Sequence, residues 1–284
     1  MDIIIGCDPE VFVRDQNGFI PARVVAPDLG DKDNPTDFGD DTNGQIDGMA
    51  LEFGITPTAD PNVFVQRVGQ ALRHLDSLAV GAKAQLALVP VATFDFSKAW
   101  NNPVKPEDYE LGCSPDFNAY TGRRNVIPKN VPLGFRTAAG HIHVGWTSNQ
   151  DPFSPGHLAD CRDVIKQLDA MFMGAYLNPY VTMHQETARR RLYGKAGAFR
   201  PKSYGVEYRV PSNNWLASAE AVYRAHALTM LAVQDLAAGE FYPENTSVDI
   251  RNRVNGRTLY NPLKNVNTPR EHWPTYNQKW WRAA

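Results

Sequence analysis

The sequence runs to 284 residues with a formal net charge of -2, and 43% of it is hydrophobic against 21% charged. Such a chain can bury a full core, and its balance excludes disordered and fibrous classes and any global attraction to nucleic acid or acidic membranes. The three cysteines, Cys7, Cys113 and Cys161, are odd in number and far apart, which argues against a disulfide framework or a zinc knuckle and for a reducing compartment.

The opening MDIIIGCDPE carries no basic, apolar export pattern, and no segment approaches the ~20 apolar residues that span a bilayer. A cytoplasmic protein acting on small molecules or peptides is expected, as one domain over 1–284 with a polar tail from about 243; its oligomeric state is open. Residues 3–13 have strand character, and 27–43, rich in Asp, Gly, Asn and Pro, form an exposed loop placed to cover a site. A second strand covers 48–53. Asp60-Pro61 then caps a helix whose core face carries Phe64, Val65, Val68, Leu72, Leu75 and Leu78. A strand over 85–91 follows. The stretch GCSPDFNAY, with Arg123 and Arg124 nearby, is turn-like and fits a substrate loop or ordinary surface equally well. Strands over 140–146 and 205–211 alternate with helices over 155–177 (Leu158, Val164, Ile165, Leu168, Met171, Phe172) and 218–238 (Val222, Ala225, Leu228, Leu231, Val233). The pattern predicts an α+β fold with a mainly antiparallel sheet. The tail ends in Trp280-Trp281, and the residues alone allow it to dock or to stay mobile.

Successive side chains on a strand point to opposite faces, which lets each strand be divided. Ile3, Ile5, Cys7, Pro9, Val11 and Val13 share one face, and Asp8 and Glu10 fall on the other. Met49, Leu51 and Phe53 share a face opposite Glu52, whose companions are Gly48, Ala50 and Gly54. Ile142, Val144 and Trp146 oppose His141 and His143, while Val206, Tyr208 and Val210 oppose Glu207 and Arg209. A half-solvated sheet would show Lys, Thr, Ser and Gln on its wet face. Carboxylates gathered across strands repel one another unless a cation binds among them. Hard oxygens with one imidazole suit Mg²⁺ or Mn²⁺, ions that commonly neutralise nucleotide phosphates. Each pair also has a plainer reading: Asp8 and Glu10 as a solvated face, the histidines as core residues or zinc ligands, Glu207 and Arg209 as an in-strand ion pair. It is their conjunction that favours metal.

A basic run follows, with Arg189, Arg190, Arg191, Lys195, Arg200 and Lys202 spread through ARRRLYGKAGAFRPK. Guanidinium forks suit the oxygens of a transferring phosphoryl group, so the run reads as a phosphate clamp. A solvated helix face or a nucleic-acid patch would show the same charge density, but Gly194 and Gly197 count against a simple helix face.

The segments GCDPEVFV, DGMALEFGITP, GHIHVGW and RRRLYGKAGAFRPKSYGVEYRVPSNNW resemble the phage COOH·NH2 ligase type 2 family, over a span from about Gly6 to Trp215. The resemblance implies the catalytic fold of glutamine synthetase and glutamate–cysteine ligase, a curved, mainly antiparallel sheet with helices on one face. It further implies bound Mg²⁺ and ATP and amide formation through an acyl phosphate, between a small-molecule or peptide carboxylate and an amine. By the same resemblance Asp8, Glu10, Glu52, His141 and Glu207 are metal ligands and His143 lies near ATP. Arg209 and Glu52 act in catalysis, and Arg189, Arg191, Lys195 and Arg200 contact the nucleotide. Asp8 stands where the synthetases usually carry Glu, and their N-terminal domain and ammonia site have no counterpart. Phage relatives imply host cytoplasm as the place of action. The rivals are a guanido-kinase-like phosphotransferase, a non-catalytic nucleotide- or metal-binding module that docks through its tryptophan tail, and, last, a zinc hydrolase lacking any HExxH.

Overall fold

The structure, a computed structural model, describes residues 2–100, 104–109, 116–126, 130–173, 183–241, 247–255 and 279–282. Strands β1 (Ile4–Cys7), β2 (Glu10–Asp15) and β3 (Gly18–Ile20) lead through the short helix α1 (Ala22–Val25) to β4 (Thr36–Gly39), β5 (Thr42–Asp47) and β6 (Ala50–Ile55). The long helix α2 (Pro61–Gly81) precedes β7 (Gln85–Ala87), β8 (Val91–Thr93), β9 (Phe117–Asn118), β10 (Phe135–Thr137) and β11 (Ile142–Gly145). Helix α3 (Pro155–Leu168) runs into a π-helical turn (Asp169–Met173), and α4 (Met183–Leu192) leads to β12 (Ala198–Lys202) and β13 (Gly205–Tyr208). A 3-10 turn (Asn213–Ala217), α5 (Ala219–Ala237), α6 (Ser247–Val254) and a final 3-10 turn (Trp280–Arg282) follow, and a further 3-10 turn (Pro106–Tyr109) lies between β8 and β9.

Every strand pairing is antiparallel. One sheet has the order β1-β11-β13-β12-β9, a second has the order β3-β2-β6-β5-β4 with β7 on β2, and β8 pairs with β10. The expected strand over 3–13 is therefore two strands in two sheets. The chain passes from one sheet to the other at Asp8-Pro9, where Pro9 has no N–H to donate to a ladder. Backbone bonds between Ile5 and Thr58, 3.0 and 2.9 Å, stitch the sheets together beside this junction. The result is a curled antiparallel sheet, a half-barrel, in a mixed α+β fold.

Helices α2, α3 and α5 pack on the apolar side of this sheet. Ile5, Cys7, Val11, Leu51, Phe53, Ile142, Val144 and Val206 bury against Phe64, Val68, Leu72 and Leu75 of α2 and Val222 and Ala225 of α5. Each such large side chain contributes roughly 1.5–3 kcal/mol on burial. The expected cap is present: the Asp60 carboxylate accepts from Asn62 N–H at 2.8 Å ahead of Pro61. Ser218 caps α5 as well, its Oγ accepting from Ala221 N–H at 3.1 Å. No described helix is long and apolar enough to cross a membrane.

Several expectations change. About half of the loop over 27–43 is the β4–β5 hairpin, whose turn residues Asp40 and Asp41 have φ of 50° and 63°, a conformation Asp tolerates better than most residues. Met49 does not share the face of Leu51 and Phe53. It lies in the β5–β6 turn and packs with Phe12, Ala50 and Phe94 in a second, smaller apolar cluster. Leu231 is 44% exposed, and the buried stripe of α5 runs instead through His226, Thr229 and Ala232. The helix over 155–177 is α-helical only to Leu168; residues 174–177 lie outside the described chain. Asp169 opens the π turn and braces the back of the sheet, accepting from Tyr208 OH at 2.6 Å, Tyr120 OH at 3.0 Å and Gly197 N–H at 2.7 Å. The tail from 243 includes α6, and its end docks. Trp280 and Trp281 are buried against α2, and Trp280 Nε1–H donates to Leu216 O at 3.0 Å.

Candidate functional site

The face of the half-barrel away from the helices carries carboxylates, imidazoles and guanidinium groups singled out in the sequence. Directly opposed residues of antiparallel strands share a face, and the register aligns His143, Glu207 and Arg200 across β11, β13 and β12. In the other sheet Glu10, Glu52 and Gln45 line up across β2, β6 and β5. The Asp8-Pro9 junction brings the two rows together. Gly48, with φ of 54°, turns the chain so that Asp47 sits opposite Ala50 at the end of β5. Apart from His143, these side chains line a cleft of ≈ 360 Å³ that also holds Lys32, Arg136, Tyr193, Lys202 and Arg209.

Two groups in the cleft can each hold a metal ion. Asp8, His141 and Glu207 offer ligand atoms within 4.8 Å of one another, as do Glu10, Asp47 and Glu52. In the first group His141 Nδ1 lies 3.2 Å from Asp8 Oδ1 and 3.5 Å from Glu207 Oε1, and His143 Nε2 lies 3.0 Å from the same Asp8 oxygen. Neither Asp8 Oδ1 nor His143 Nε2 has a well-aligned hydrogen-bond partner. Such convergent lone pairs fit a cation. Behind each imidazole stands a tyrosine: Tyr193 OH is 3.0 Å from His141 Nε2, and Tyr204 OH contacts His143 Nδ1. In the second group Ala139 N–H donates to Glu10 Oε2 and Gln45 Nε2–H to Glu52 Oε1, each at 2.8 Å.

The two groups titrate in opposite directions. Burial works against ionised Glu207, but His141, Arg209 and His143 more than offset it and hold the carboxyl at about 2. Asp8 is likewise held well below the usual carboxylate range, burial being outweighed by the two histidines. Burial pushes His141 down to about 4, with Arg209 adding to the effect. In the second group burial, followed by the Asp47 charge, lifts Glu10 to about 8. Burial and the neighbouring Asp8, Asp47 and Glu10 raise Glu52 well above its ordinary value, and burial raises Asp47 too.

Cations crowd the Glu207 side. Lys202 Nζ is 3.0 Å and Arg200 Nη1 3.2 Å from Glu207 Oε2, while Arg209 Nη1 contacts Oε1. Arg209 Nε also donates to Asp116 Oδ1 at 2.5 Å, so its guanidinium is clamped between two carboxylates.

Of the residues singled out in the sequence, Asp8, Glu10, Glu52, His141, Glu207, Arg209 and Arg200 line the cleft, though Asp8 and Glu10 fall into different groups. His143 stands behind Asp8 rather than in the lining. The basic run is divided. Arg189, Arg190 and Arg191 form the last turn of α4, Gly194 and Gly197 follow the helix, and Arg200 and Lys202 lie on β12; Arg189 is fully buried with its guanidinium donating to Ala138 O, Val210 O and Pro211 O at 2.7–2.9 Å. It braces the backbone and lies outside the cleft lining. Arg190 binds Glu186 at 3.0 Å, Arg191 is exposed, and neither Arg191 nor Lys195 lines the cleft.

Sequence reasoning missed Asp47, Asp116, Gln45, Tyr193 and Tyr204. Asn43, Gln45 and Asp47 alternate with Gly44 and Ile46 along β5, a period-2 signal masked by the turn-like composition around it. Asp116 lies in GCSPDFNAY, whose residues 112–115 fall outside the described chain.

A family model described as Phage phiEco32-like COOH.NH2 ligase-type 2 matches residues 132–249. No curated protein matches the chain. The matched stretch contains His141, His143, Arg200, Glu207 and Arg209, and the Asp8, Glu10, Asp47 and Glu52 carboxylates that complete the cleft precede it. Residues 132–249 are thus similar to a family whose name denotes the joining of a carboxyl to an amine, a C–N bond-forming ligase.

Proposed function

We propose that the protein is an ATP-dependent carboxylate–amine ligase with a glutamine-synthetase-like catalytic arrangement, working through an acyl phosphate. The observation that carries this reading is the pairing, in one cleft, of two metal-capable groups with the cationic side chains Arg200, Lys202 and Arg209. The donor sets fit hard divalent cations: one group is three carboxyls, the other two carboxyls and an imidazole whose outer nitrogen is already engaged. Mg²⁺ or Mn²⁺ held there would neutralise nucleotide phosphates.

The remaining roles belong to the chain itself. Arg209, fixed by Asp116 and Glu207, is oriented to stabilise negative charge on a phosphoryl group. A substrate carboxylate oxygen attacks the γ-phosphorus and ADP leaves with the electron pair of the broken P–O bond. The amine nitrogen then attacks the acyl carbon, phosphate departs, and the nitrogen gives up a proton. Arg200 and Lys202 supply the further positive charge that this sequence of anions requires.

The test is Mg²⁺-dependent release of ADP and phosphate across a panel of amino acids, polyamines and short peptides. Turnover is expected only with a carboxylate and an amine together, and Glu207→Ala should lower it by at least about 100-fold. Amide formed without ATP turnover would sink the proposal. A stable phosphorylated product without amide would identify a phosphotransferase instead.

A further inference from the structure

We propose that Lys202 and a divalent cation compete for Glu207, and that the displaced Lys202 ammonium then holds the polyphosphate of a nucleoside triphosphate in the cleft. The inference rests on the metal and nucleotide reading above. Glu207 is fully buried and carries one negative charge, yet three cationic side chains converge on it: Lys202 at 3.0 Å, Arg200 at 3.2 Å and Arg209. A divalent ion shared with Asp8 and His141 would add two more positive charges beside this carboxylate, whose Oε1 faces His141 and whose Oε2 faces Lys202, and the repulsion would loosen the cation least tied elsewhere.

Arg209 is fixed, tied at its Nε to Asp116. Arg200, directly opposite Glu207 in the β12–β13 register, meets the carboxylate with a planar guanidinium whose direction matters. Lys202 is different. It is paired in register with Gly205 and reaches Glu207 diagonally on a flexible four-carbon stem, and Glu207 is its one ion-pair partner among the described residues. An ammonium is a strongly hydrated point charge whose direction is not set by a planar fork, so it can leave a carboxylate for a phosphate with little geometric loss. Because Lys202 lines the same cleft as Arg200 and Arg209, it leaves Glu207 without leaving the site.

The consequence is a pair of effects of opposite sign, which a merely structural lysine would not produce. With the full-length chain, MnCl₂ alone is titrated by electron paramagnetic resonance, and adenosine 5′-(β,γ-imido)triphosphate is titrated calorimetrically at saturating Mg²⁺. Lys202→Met should bind Mn²⁺ about five-fold more tightly and the nucleotide analogue about ten-fold more weakly. Lys202→Arg keeps the charge and should show no tightening of Mn²⁺; Lys202→Gln repeats the neutral substitution with a polar side chain. Mn²⁺ affinity that is unchanged or weaker in both neutral variants overturns the proposal, as does tighter Mn²⁺ with unchanged nucleotide affinity. Wild-type protein that binds Mn²⁺ and no nucleotide analogue would overturn the ATP-dependent reading itself, a result separate from any behaviour of the variants.

Discussion

Glu10 and Glu207 face one cleft yet titrate in opposite directions, and their neighbours decide it. Glu207 has three cationic side chains on it, whereas Glu10 is buried near Asp47 and Glu52 and is lifted to about 8. At neutral pH the group of Glu10, Asp47 and Glu52, all raised, therefore holds a proton that a metal ion must expel. Calorimetric titration of MgCl₂ in two buffers of different protonation heat should show proton release at pH 7, and Mg²⁺ affinity should rise as pH climbs through about 8. In Glu10→Gln both the affinity and its pH dependence should fall. The sign for stability follows from the same fact. A carboxyl with a raised folded pKa favours the fold while protonated, so the cation-free protein should lose this contribution as pH rises from the ordinary carboxylate range to about 8. Constant thermal stability across that range would contradict the assignment. Tyr193 allows a cleaner substitution. Its hydroxyl meets His141 Nε2, while its ring lies 5.1 Å from the Arg209 guanidinium and 5.5 Å from that of Arg189. Tyr193→Phe keeps the ring contacts and removes the hydroxyl that meets the imidazole; Mn²⁺ affinity should drop about ten-fold, with a stability loss of about 1 kcal/mol from the unpaired buried nitrogen.

Among the elements, α4 differs most from its charge pattern. Three consecutive arginines suggest a surface, but helical geometry sends Arg189 and Arg190 inward and Arg191 outward. Arg189 ties the strand end at Ala138 to the turn at Val210 and Pro211, and Gly194 leaves room for it: a Cβ there would lie 2.1 Å from Arg189 Nη1. Arg189→Met would remove the side-chain donor from three buried carbonyls, of which Pro211 O keeps a backbone partner, Gly140 N–H at 3.0 Å, and should cost about 2 kcal/mol or more in chemical denaturation; Arg189→Lys should not restore it, since one ammonium cannot reproduce the fork. Gly194→Ala should be destabilising for the same steric reason, compounded by its φ of 70°. This element also marks where the sequence stops being legible. The capped helix α2, the apolar stripe of α5 and the armed faces of β1–β2, β6, β11 and β13 could be read because a cap, a helical period and a two-residue period are local signals. Burial of a charged side chain is not local. Arg189 and Arg209 look alike in a sequence, and only the distant partners Ala138 and Asp116 show that one braces a turn and the other faces the cleft. Asp47 was missed for a related reason: β5, with the sequence TNGQID, has little strand propensity of its own and is held by pairing with β4 and β6.

The molecule as a whole joins its two sheets at Asp8-Pro9-Glu10, and the C-terminal turn supports that junction from behind. Trp280 donates to Leu216 O in the 3-10 turn whose first residue, Asn213, donates through Nδ2 to Glu10 O at 2.9 Å. Arg282 pairs with Asp76 of α2 at 2.7 Å, and Arg73 Nη1–H of the same helix donates to Trp281 O at 3.1 Å. The tail is thus connected, through one turn and one helix, to the backbone that carries a cleft carboxylate. Trp280→Ala removes a large buried ring and one hydrogen bond and should cost about 3–5 kcal/mol. Trp280→Phe should recover most of the packing and leave Leu216 O without its donor, a smaller loss of about 1 kcal/mol. If the support reaches the site, Trp280→Ala should also weaken Mn²⁺ binding at a temperature where the variant is still folded, while Arg282→Ala, at a partly exposed ion pair, should change neither property much. A melting temperature unmoved by Trp280→Ala would mean that the docked turn contributes nothing to the fold. A lowered melting temperature with unchanged Mn²⁺ affinity would confine its role to stability and leave the Glu10 carboxylate held by Ala139 and the β2–β6 pairing alone.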